Sequence, residues 1–251
     1  EEENILQMLY NNYKTQRQHK TTIGVTIVVT YACNLACVYC YERAQNIINV
    51  DKPIDLEHID AAFRAIDKLS KPSKKVSITL YGGEPLLPIN RPSIEKILQE
   101  AKKRNYPVIC ITNGTHLIDY LETFRKHNVE RIQVTLDGTK DVHDKRRIYP
   151  SGAGTFDLIV RGIDKTLETS NIKIALRINI DKQNIDNLPR FAKEVLSRWK
   201  SYILSGQLMP YIGIVTEQSC LGLSHAKYGI SQSYFIEKIG RIYSCLLYTS
   251  D

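Results

Sequence analysis

The chain lacks an apolar run of the roughly 20 residues that a membrane-spanning helix needs. It opens on three acidic residues, Glu1–Glu3, where a secretory signal would be basic and then apolar. We therefore predict a cytoplasmic protein that has no membrane partner.

The sequence also lacks a block of basic residues. Its formal net charge is +7, but lysines and arginines occur in pairs and triples along the chain, as at Lys102, Lys103 and Arg104. Because nucleic-acid binding depends on basic residues gathered on one surface, this spread predicts no nucleic-acid partner. A diffuse positive field still allows an acidic peptide as a partner.

Segments typical of strands and helices alternate along the 251 residues. This alternation predicts an α/β fold with a parallel sheet and crossover helices. The predicted strands are Ile23–Thr30, Val76–Leu80, Val108–Ile111, Ile132–Leu136, Ile172–Ile180 and Leu208–Val215. The predicted helices are Leu56–Leu69, capped by Asp55, then Ser93–Lys103, Leu117–Phe124, Phe156–Glu168 and Leu188–Trp199.

Six such units predict a partial (β/α)6 TIM-like barrel rather than a closed eight-fold one. We place this barrel at residues 23–215. An N-terminal extension over 1–22, with a short helix at Ile5–Tyr10, precedes it. An incomplete C-terminal extension over 216–251 follows it.

Three cysteines follow the first predicted strand in the stretch CNLACVYC: Cys33, Cys37 and Cys40. Thiolates at such short spacing can bind one soft metal centre. A structural zinc ion normally takes four ligands, and no fourth Cys or His lies nearby. The spacing thus favours an iron–sulfur cluster with one open iron. A zinc site, or three ordinary buried cysteines, remains the alternative.

The other unusual motifs also follow predicted strands. YGGEP, Tyr81–Pro85, comes after the second, Thr112–Gly114 after the third, and Asp137-Gly138 after the fourth. In barrels of parallel strands the reactive groups lie on loops at the carboxyl ends of strands. Glycines there allow backbone to approach a ligand closely. We expect these motifs to form one site on this rim.

CNLACVYCYE, YGGEPLL, TNG, VTLDGTKDVHDKRR and SGAGTF occur in this order and resemble successive motifs of the radical S-adenosylmethionine (radical SAM) superfamily. They are most similar to its peptide- and protein-modifying branch, which carries a SPASM or twitch extension. The resemblance covers about Ile23 to Val215. It implies a [4Fe–4S] cluster bound by Cys33, Cys37 and Cys40, with S-adenosylmethionine chelating the open iron.

The implied function is reductive cleavage of S-adenosylmethionine to a 5′-deoxyadenosyl radical, which abstracts hydrogen from a peptide or protein. Maturases of this kind form thioether or carbon–carbon crosslinks or oxidise side chains. An electron donor such as flavodoxin or ferredoxin is a further implied partner. The alternative function is a non-catalytic zinc-binding or scaffold domain that uses the same cysteines.

The resemblance also implies cofactor contacts. Gly82, Gly83 and Glu84 correspond to the motif that receives the methionine amino group. The other implied cofactor-binding residues are Tyr39 near the adenine, Thr135 and Arg177 near the methionyl or ribose part, and Pro85, Asn113 and Asp137. For His143 and Asp144, which accompany Arg147, we expect a structural or substrate-loop role.

Cys220 and Cys245 resemble the first cysteines of a SPASM extension, and the pattern then stops at Asp251. The chain therefore looks truncated at its C-terminus. Auxiliary iron–sulfur clusters are possible in the full-length protein. The two cysteines are either auxiliary ligands or unligated thiols. For Cys110, inside a predicted strand, we expect a buried apolar role.

Overall fold

The computed structural model describes residues 22–40, 42, 52–70, 75–215, 230–231 and 233–239. The helix predicted at 5–10 and the candidate auxiliary cysteines Cys220 and Cys245 lie outside the described residues. The division into three segments stays a prediction.

Six parallel strands form one sheet in sequence order. They are β1 (Thr22–Thr30), β2 (Lys75–Gly82), β3 (Val108–Thr112), β4 (Arg131–Thr135), β5 (Lys173–Ile180) and β6 (Leu208–Ile214). The helices are α1 (Leu56–Leu69), α2 (Arg91–Lys103), α3 (Leu117–Lys126), α4 (Lys140–His143), α5 (Phe156–Thr169) and α6 (Leu188–Leu204). The predicted α/β fold with a parallel sheet is confirmed. The sequence predicted neither α4 nor the helical residues 233–239.

One face of the sheet packs against the helices. Alternate strand residues such as Ile78, Val134 and Leu176 are fully buried on this face, together with helix residues such as Ile59 and Phe63. Cys110 also belongs to this core, as expected. We call the opposite face, which carries the remaining strand side chains, the inner face.

The residues of the inner face are more polar and less buried than those of the core face. Ser77 and Thr79 on β2, Gln133 on β4 and Arg177 on β5 are half-buried there. Parallel strands place all their carboxyl ends at one edge, so the loops after β1 to β5 meet at that edge. Within the described residues, no helix is long and apolar enough to cross a bilayer.

Candidate functional site

A cavity of about 310 Å³ lies at the carboxyl ends of the strands. The predicted site residues that line it are Cys33, Cys37, Cys40, Tyr39, Gly82, Gly83, Asn113, Thr135 and Arg177. Among the described residues, Glu84, Pro85 and Asp137 lie outside its lining. Gln133, Arg147 and Asn179 also line it and were not predicted as cofactor contacts. The sequence thus identified most of the loops that surround the cavity.

The three predicted cluster ligands lie on one loop after β1. Burial, followed by the nearby Glu84 carboxylate, raises the pKa of Cys33 to about 12. Burial also raises the pKa of Cys37, although the Arg147 guanidinium opposes it. Such thiols are protonated at neutral pH, so metal binding must release their protons.

No group of three or more His, Cys, Asp or Glu side chains in the described part of the chain is arranged around a single metal ion. A [4Fe–4S] cluster binds each thiolate to a different iron, so its ligands need not converge on one point.

The glycines of the YGGEP motif pack against the cysteine loop. Gly83 N donates to Thr30 O at 3.0 Å, and Glu84 N donates to Ala32 O at 2.8 Å. A Cβ on Gly83 would overlap the carbonyl oxygens of Ala32 and Tyr31. Gly82 has φ +144°, where side chains are rarely tolerated. The sequence attributed these glycines to close approach of a ligand, whereas the structure shows that close approach of two backbone segments already requires them.

Glu84 is fully buried and does not line the cavity. Its Oε1 accepts hydrogen bonds from Leu86 N at 2.9 Å and Thr112 Oγ1 at 2.6 Å, and its Oε2 accepts from Asn113 N at 2.5 Å. Burial raises the pKa of Glu84, and these hydrogen bonds oppose that change. The carboxylate therefore joins the end of β2 to the end of β3. Its contact with the methionine amino group stays a prediction, as does any ligand contact of Pro85.

Asn113 attaches the cysteine loop to β3. Its Nδ2 donates to Asn34 Oδ1 at 2.8 Å and lies 3.9 Å from Cys33 Sγ. Asn34 Nδ2 in turn donates to Thr115 Oγ1 at 3.0 Å. Asn113 thus borders the cavity and also orients the first cysteine.

The segment after β4 holds the other side of the cysteine loop. Ala36 N donates to Ile148 O at 2.7 Å, and Val38 N donates to Arg146 O at 3.0 Å. Arg147 Nη1 also donates to the Tyr39 hydroxyl at 2.7 Å. The loop therefore has fixed partners on both sides.

Tyr39 also connects the loop to β5. Its hydroxyl accepts a second hydrogen bond from Asn179 Nδ2 at 3.1 Å, and Asn179 Oδ1 accepts from Arg177 Nε at 2.8 Å. A Cβ on Gly213 of β6 would lie 2.7 Å from Arg177 Nε, so this glycine leaves room for the arginine. The result is one hydrogen-bonded line from Arg147 to Arg177 along the cavity wall.

Buried charged side chains pack next to this hydrogen-bonded line. Arg146 donates through both Nη atoms to the Asp181 carboxylate, at 3.1 and 2.7 Å, and its Nε lies 3.5 Å from Asp137 Oδ2. Its guanidinium lies 5.0 Å from the centre of the Tyr39 ring. Asp137 is thus a partner of Arg146 beneath the site, and its predicted cofactor contact stays a prediction.

His143 and Asp144 organise the loop between β4 and α5. Burial, and then Arg147 and Arg146, hold the pKa of His143 well below its ordinary value. Its Nδ1 accepts from Asp137 N at 3.2 Å, so its Nε2 carries the proton and donates to Thr155 Oγ1 at 3.0 Å. Asp144 Oδ1 accepts from the N–H groups of Thr155 and Phe156 at the start of α5. These contacts favour the structural role of the two that the sequence left open.

Comparison with known proteins identifies relatives of this chain. The sequence model of the Radical SAM superfamily matches residues 27–195. The chain is 32% identical over 163 residues to Fe-coproporphyrin III synthase of Methanosarcina barkeri. The aligned region covers 64% of this chain and 38% of that protein. It is 30% identical over 199 residues to a probable GTP 3′,8-cyclase of Archaeoglobus fulgidus, which covers 77% of this chain and 63% of that protein.

Among solved structures, native anSMEcpe with bound AdoMet and the Cp18Cys peptide has a TM-score of 0.69 and 16% identity, covering 88% of this chain and 58% of that one. This similarity confirms the predicted partial TIM-like barrel. The chain spans less than two thirds of the length of each of these proteins. The two relatives of higher identity are not named as peptide-modifying enzymes, so the narrower SPASM assignment stays a prediction.

Proposed function

Because the chain belongs to the radical SAM superfamily, whose members use a [4Fe–4S] cluster and S-adenosylmethionine, we propose that it cleaves S-adenosylmethionine reductively and abstracts hydrogen from a peptide or protein. The observation that carries the proposal is that three thiols of one loop and the backbone of Gly82-Gly83 line the same cavity. Fold similarity to a chain with bound AdoMet and a peptide supports the peptide substrate.

The residues present fit these cofactors. Cys33, Cys37 and Cys40 would supply three soft thiolates and leave one iron open. The Gly82-Gly83 backbone and Arg177 border the same space and would hold S-adenosylmethionine there. When bound, the cluster and S-adenosylmethionine supply one-electron cleavage of a carbon–sulfur bond and a carbon radical for hydrogen abstraction.

The protein's own contribution is to position these groups and to keep water away. Arg147, Tyr39 and Asn179 fix the cysteine loop against β5, and Asn113 fixes it against β3. The Arg147 charge lowers the pKa of Cys37 against the effect of burial, which favours the thiolate that a metal requires.

Alanine variants of the cysteines test the proposal. After anaerobic reconstitution we expect Cys33→Ala, Cys37→Ala and Cys40→Ala each to lose the cluster and dithionite-dependent formation of 5′-deoxyadenosine. Cys110→Ala is the matched control, because this thiol is buried among core residues on β3. Iron and sulfide content, visible absorption and product analysis are the measurements.

A triple variant with normal iron content would contradict the proposal. The zinc or scaffold alternative predicts a colourless protein that contains zinc, because Zn²⁺ has a filled d shell.

A second candidate function is action on a small molecule. It is favoured by the 30% and 32% identities to relatives named as a probable GTP 3′,8-cyclase and as Fe-coproporphyrin III synthase. Incubating the reconstituted protein with GTP in one arm, and with short peptides encoded beside its gene in the other, separates the two. Mass spectrometry of each arm identifies which molecule is modified.

A further inference from the structure

The six strands carry basic residues on one face and no acidic residues at all. Their cations are Lys75 on β2, Arg131 on β4, and Lys173 and Arg177 on β5. All four lie at inner-face positions, because they alternate with core residues such as Ile132 and Ile174. None of the six strands contains an Asp or Glu. The charged side chains that these strands place on the inner face are therefore all cations.

Arg131 and Lys173 lie opposite each other in the pairing of β4 with β5. Two like charges on neighbouring strands repel each other, and this arrangement costs stability. Arg131 approaches Glu130 only at 4.0 Å, the outer limit of an ion pair. Its buried Nε has no hydrogen-bond partner within the described residues. Folding alone gives no reason to place these two cations together.

On β1 and β2, the inner-face residues at the same height as Arg131 and Lys173 are small or exposed. Gly24 and Thr26 of β1 are exposed, and Ser77 and Thr79 of β2 are small and half-buried. In closed barrels, bulky branched residues fill these layers. At this level Ile109 of β3 lies between Thr79 and Arg131, and the small side chains beyond it leave the β1–β2 side of the inner face open to a ligand.

The distance from the cation pair to the cavity is set by strand geometry. On β4, Arg131 lies two residues before Gln133, which itself lines the cavity, and on β5 Lys173 lies four residues before the lining residue Arg177. At about 3.3 Å per residue, these separations are about 7 Å and about 13 Å along the strands. Gln133 accepts a 2.5 Å hydrogen bond from the Tyr211 hydroxyl. On β4 a polar side chain thus lies between Arg131 and Thr135, whereas on β5 the apolar Ala175 lies between Lys173 and Arg177.

We propose that the substrate carries a carboxylate or phosphate group that binds Arg131 and Lys173, while its reacting carbon lies in the cavity. This inference rests on the proposed function and names the chemistry of its substrate. An acidic side chain of a peptide and the phosphate chain of a nucleotide both supply such a group.

Binding measurements on the reconstituted protein with S-adenosylmethionine test the proposal. The probes are fluorescein-labelled hexaglutamate, labelled hexalysine and inorganic triphosphate. The test variant is Arg131→Gln/Lys173→Gln. The matched control, Lys165→Gln/Lys193→Gln, removes the same charge from exposed positions on α5 and α6. Iron content is measured on every protein first, so that all are compared with the cofactor loaded.

We expect the parent and the control to bind at least one anionic probe, and the test variant to bind it at least tenfold more weakly. The affinity should fall as salt is raised. Binding of hexaglutamate alone identifies a peptide group, and binding of triphosphate alone identifies a phosphate group. Lys173→Glu, at an exposed site that should tolerate substitution, should shift the preference toward hexalysine.

Equal affinities of the test and control variants would overturn the inference, and so would failure of the parent to bind either anion. Failure of the proposed function looks different. It would appear as no 5′-deoxyadenosine from the reconstituted parent, whatever the binding results.

Discussion

The Glu84→Gln variant tests whether this buried carboxylate joins β2 to β3. Glutamine keeps the size of the side chain but replaces one acceptor oxygen with an NH2 group. If the NH2 replaces Oε2, it faces the Asn113 N–H; if it replaces Oε1, it faces the Leu86 N–H. In either orientation a donor meets a donor in a fully buried position.

The expected loss follows from these contacts. A hydrogen bond to a charged acceptor contributes about 1.5–3 kcal/mol, and a buried donor left unsatisfied costs about 1–3 kcal/mol. The burial that raises the pKa of Glu84 offsets part of this, because a neutral amide is less costly to bury than a carboxylate. We therefore expect the free energy of unfolding to fall by about 2–3 kcal/mol.

Urea unfolding of the cofactor-free protein, followed by circular dichroism and fluorescence, measures the loss. Glu95→Gln is the control, since this half-exposed residue pairs with Arg91 only at 3.9 Å and should change stability by under about 1 kcal/mol. If Glu84→Gln is as stable as the control but binds S-adenosylmethionine more weakly, the carboxylate contacts the ligand and our structural reasoning is wrong.

Three further variants test other parts of the site. Gly83→Ala should destabilise the protein by about 1–3 kcal/mol and lower its iron content, because the new Cβ overlaps the cysteine loop. Gly24→Ala is the control, since its Cβ has space. Equal iron content in the two variants would contradict this expectation. A histidine in the unfolded chain titrates near pH 6.5, whereas the pKa of folded His143 lies well below that value. Below about pH 6.5, therefore, only the unfolded chain gains this proton. The free energy of unfolding then falls by up to about 1.4 kcal/mol per pH unit. His143→Gln should reduce that slope in urea titrations, and a slope identical to that of the parent would refute the assignment. Asp144→Ala should cost about 1–2 kcal/mol, because two N–H groups at the start of α5 lose their acceptor, and a change below 0.5 kcal/mol in the same assay would argue against this role.

The order and type of the main elements could be predicted because each has a local signal. Differences at the helix ends have physical causes. Helix α2 begins at Arg91 rather than Ser93, since Pro92 is tolerated in the first turn of a helix. Helix α6 continues to Leu204 beyond the predicted end at Trp199, where the backbone leaves helical geometry (φ −124°, ψ 20°). Trp199 Nε1 donates there to Asp164 Oδ1, a tertiary contact that sequence periodicity cannot indicate.

In the candidate site, too, the features with a local sequence signal could be predicted and those that depend on distant contacts could not. The cysteines and glycines were found because they are close in sequence, and the cavity that they line follows from strand order. Arg147 contacts Tyr39 across 108 residues, and Glu84 is bound by Thr112 at the end of β3, 28 residues later. Neither contact has a local signal in the sequence. Gln133 and Asn179 had a weaker signal that was missed. Each is a polar residue at a strand position that alternates with buried apolar residues, which indicates the inner face.

The pairing of the cysteine loop with later segments has a consequence for biosynthesis. Tyr39 meets Asn179 only after 140 further residues have been made, which takes about 7–28 s at ribosomal rates of about 5–20 residues per second. During that interval the thiols of the loop have left the ribosome before the cavity around them exists. The complete cavity around these cysteines therefore exists only after β5 has been made and has folded. A substitution that slows folding would lengthen the period in which these cysteines are open to oxidation or to the wrong metal.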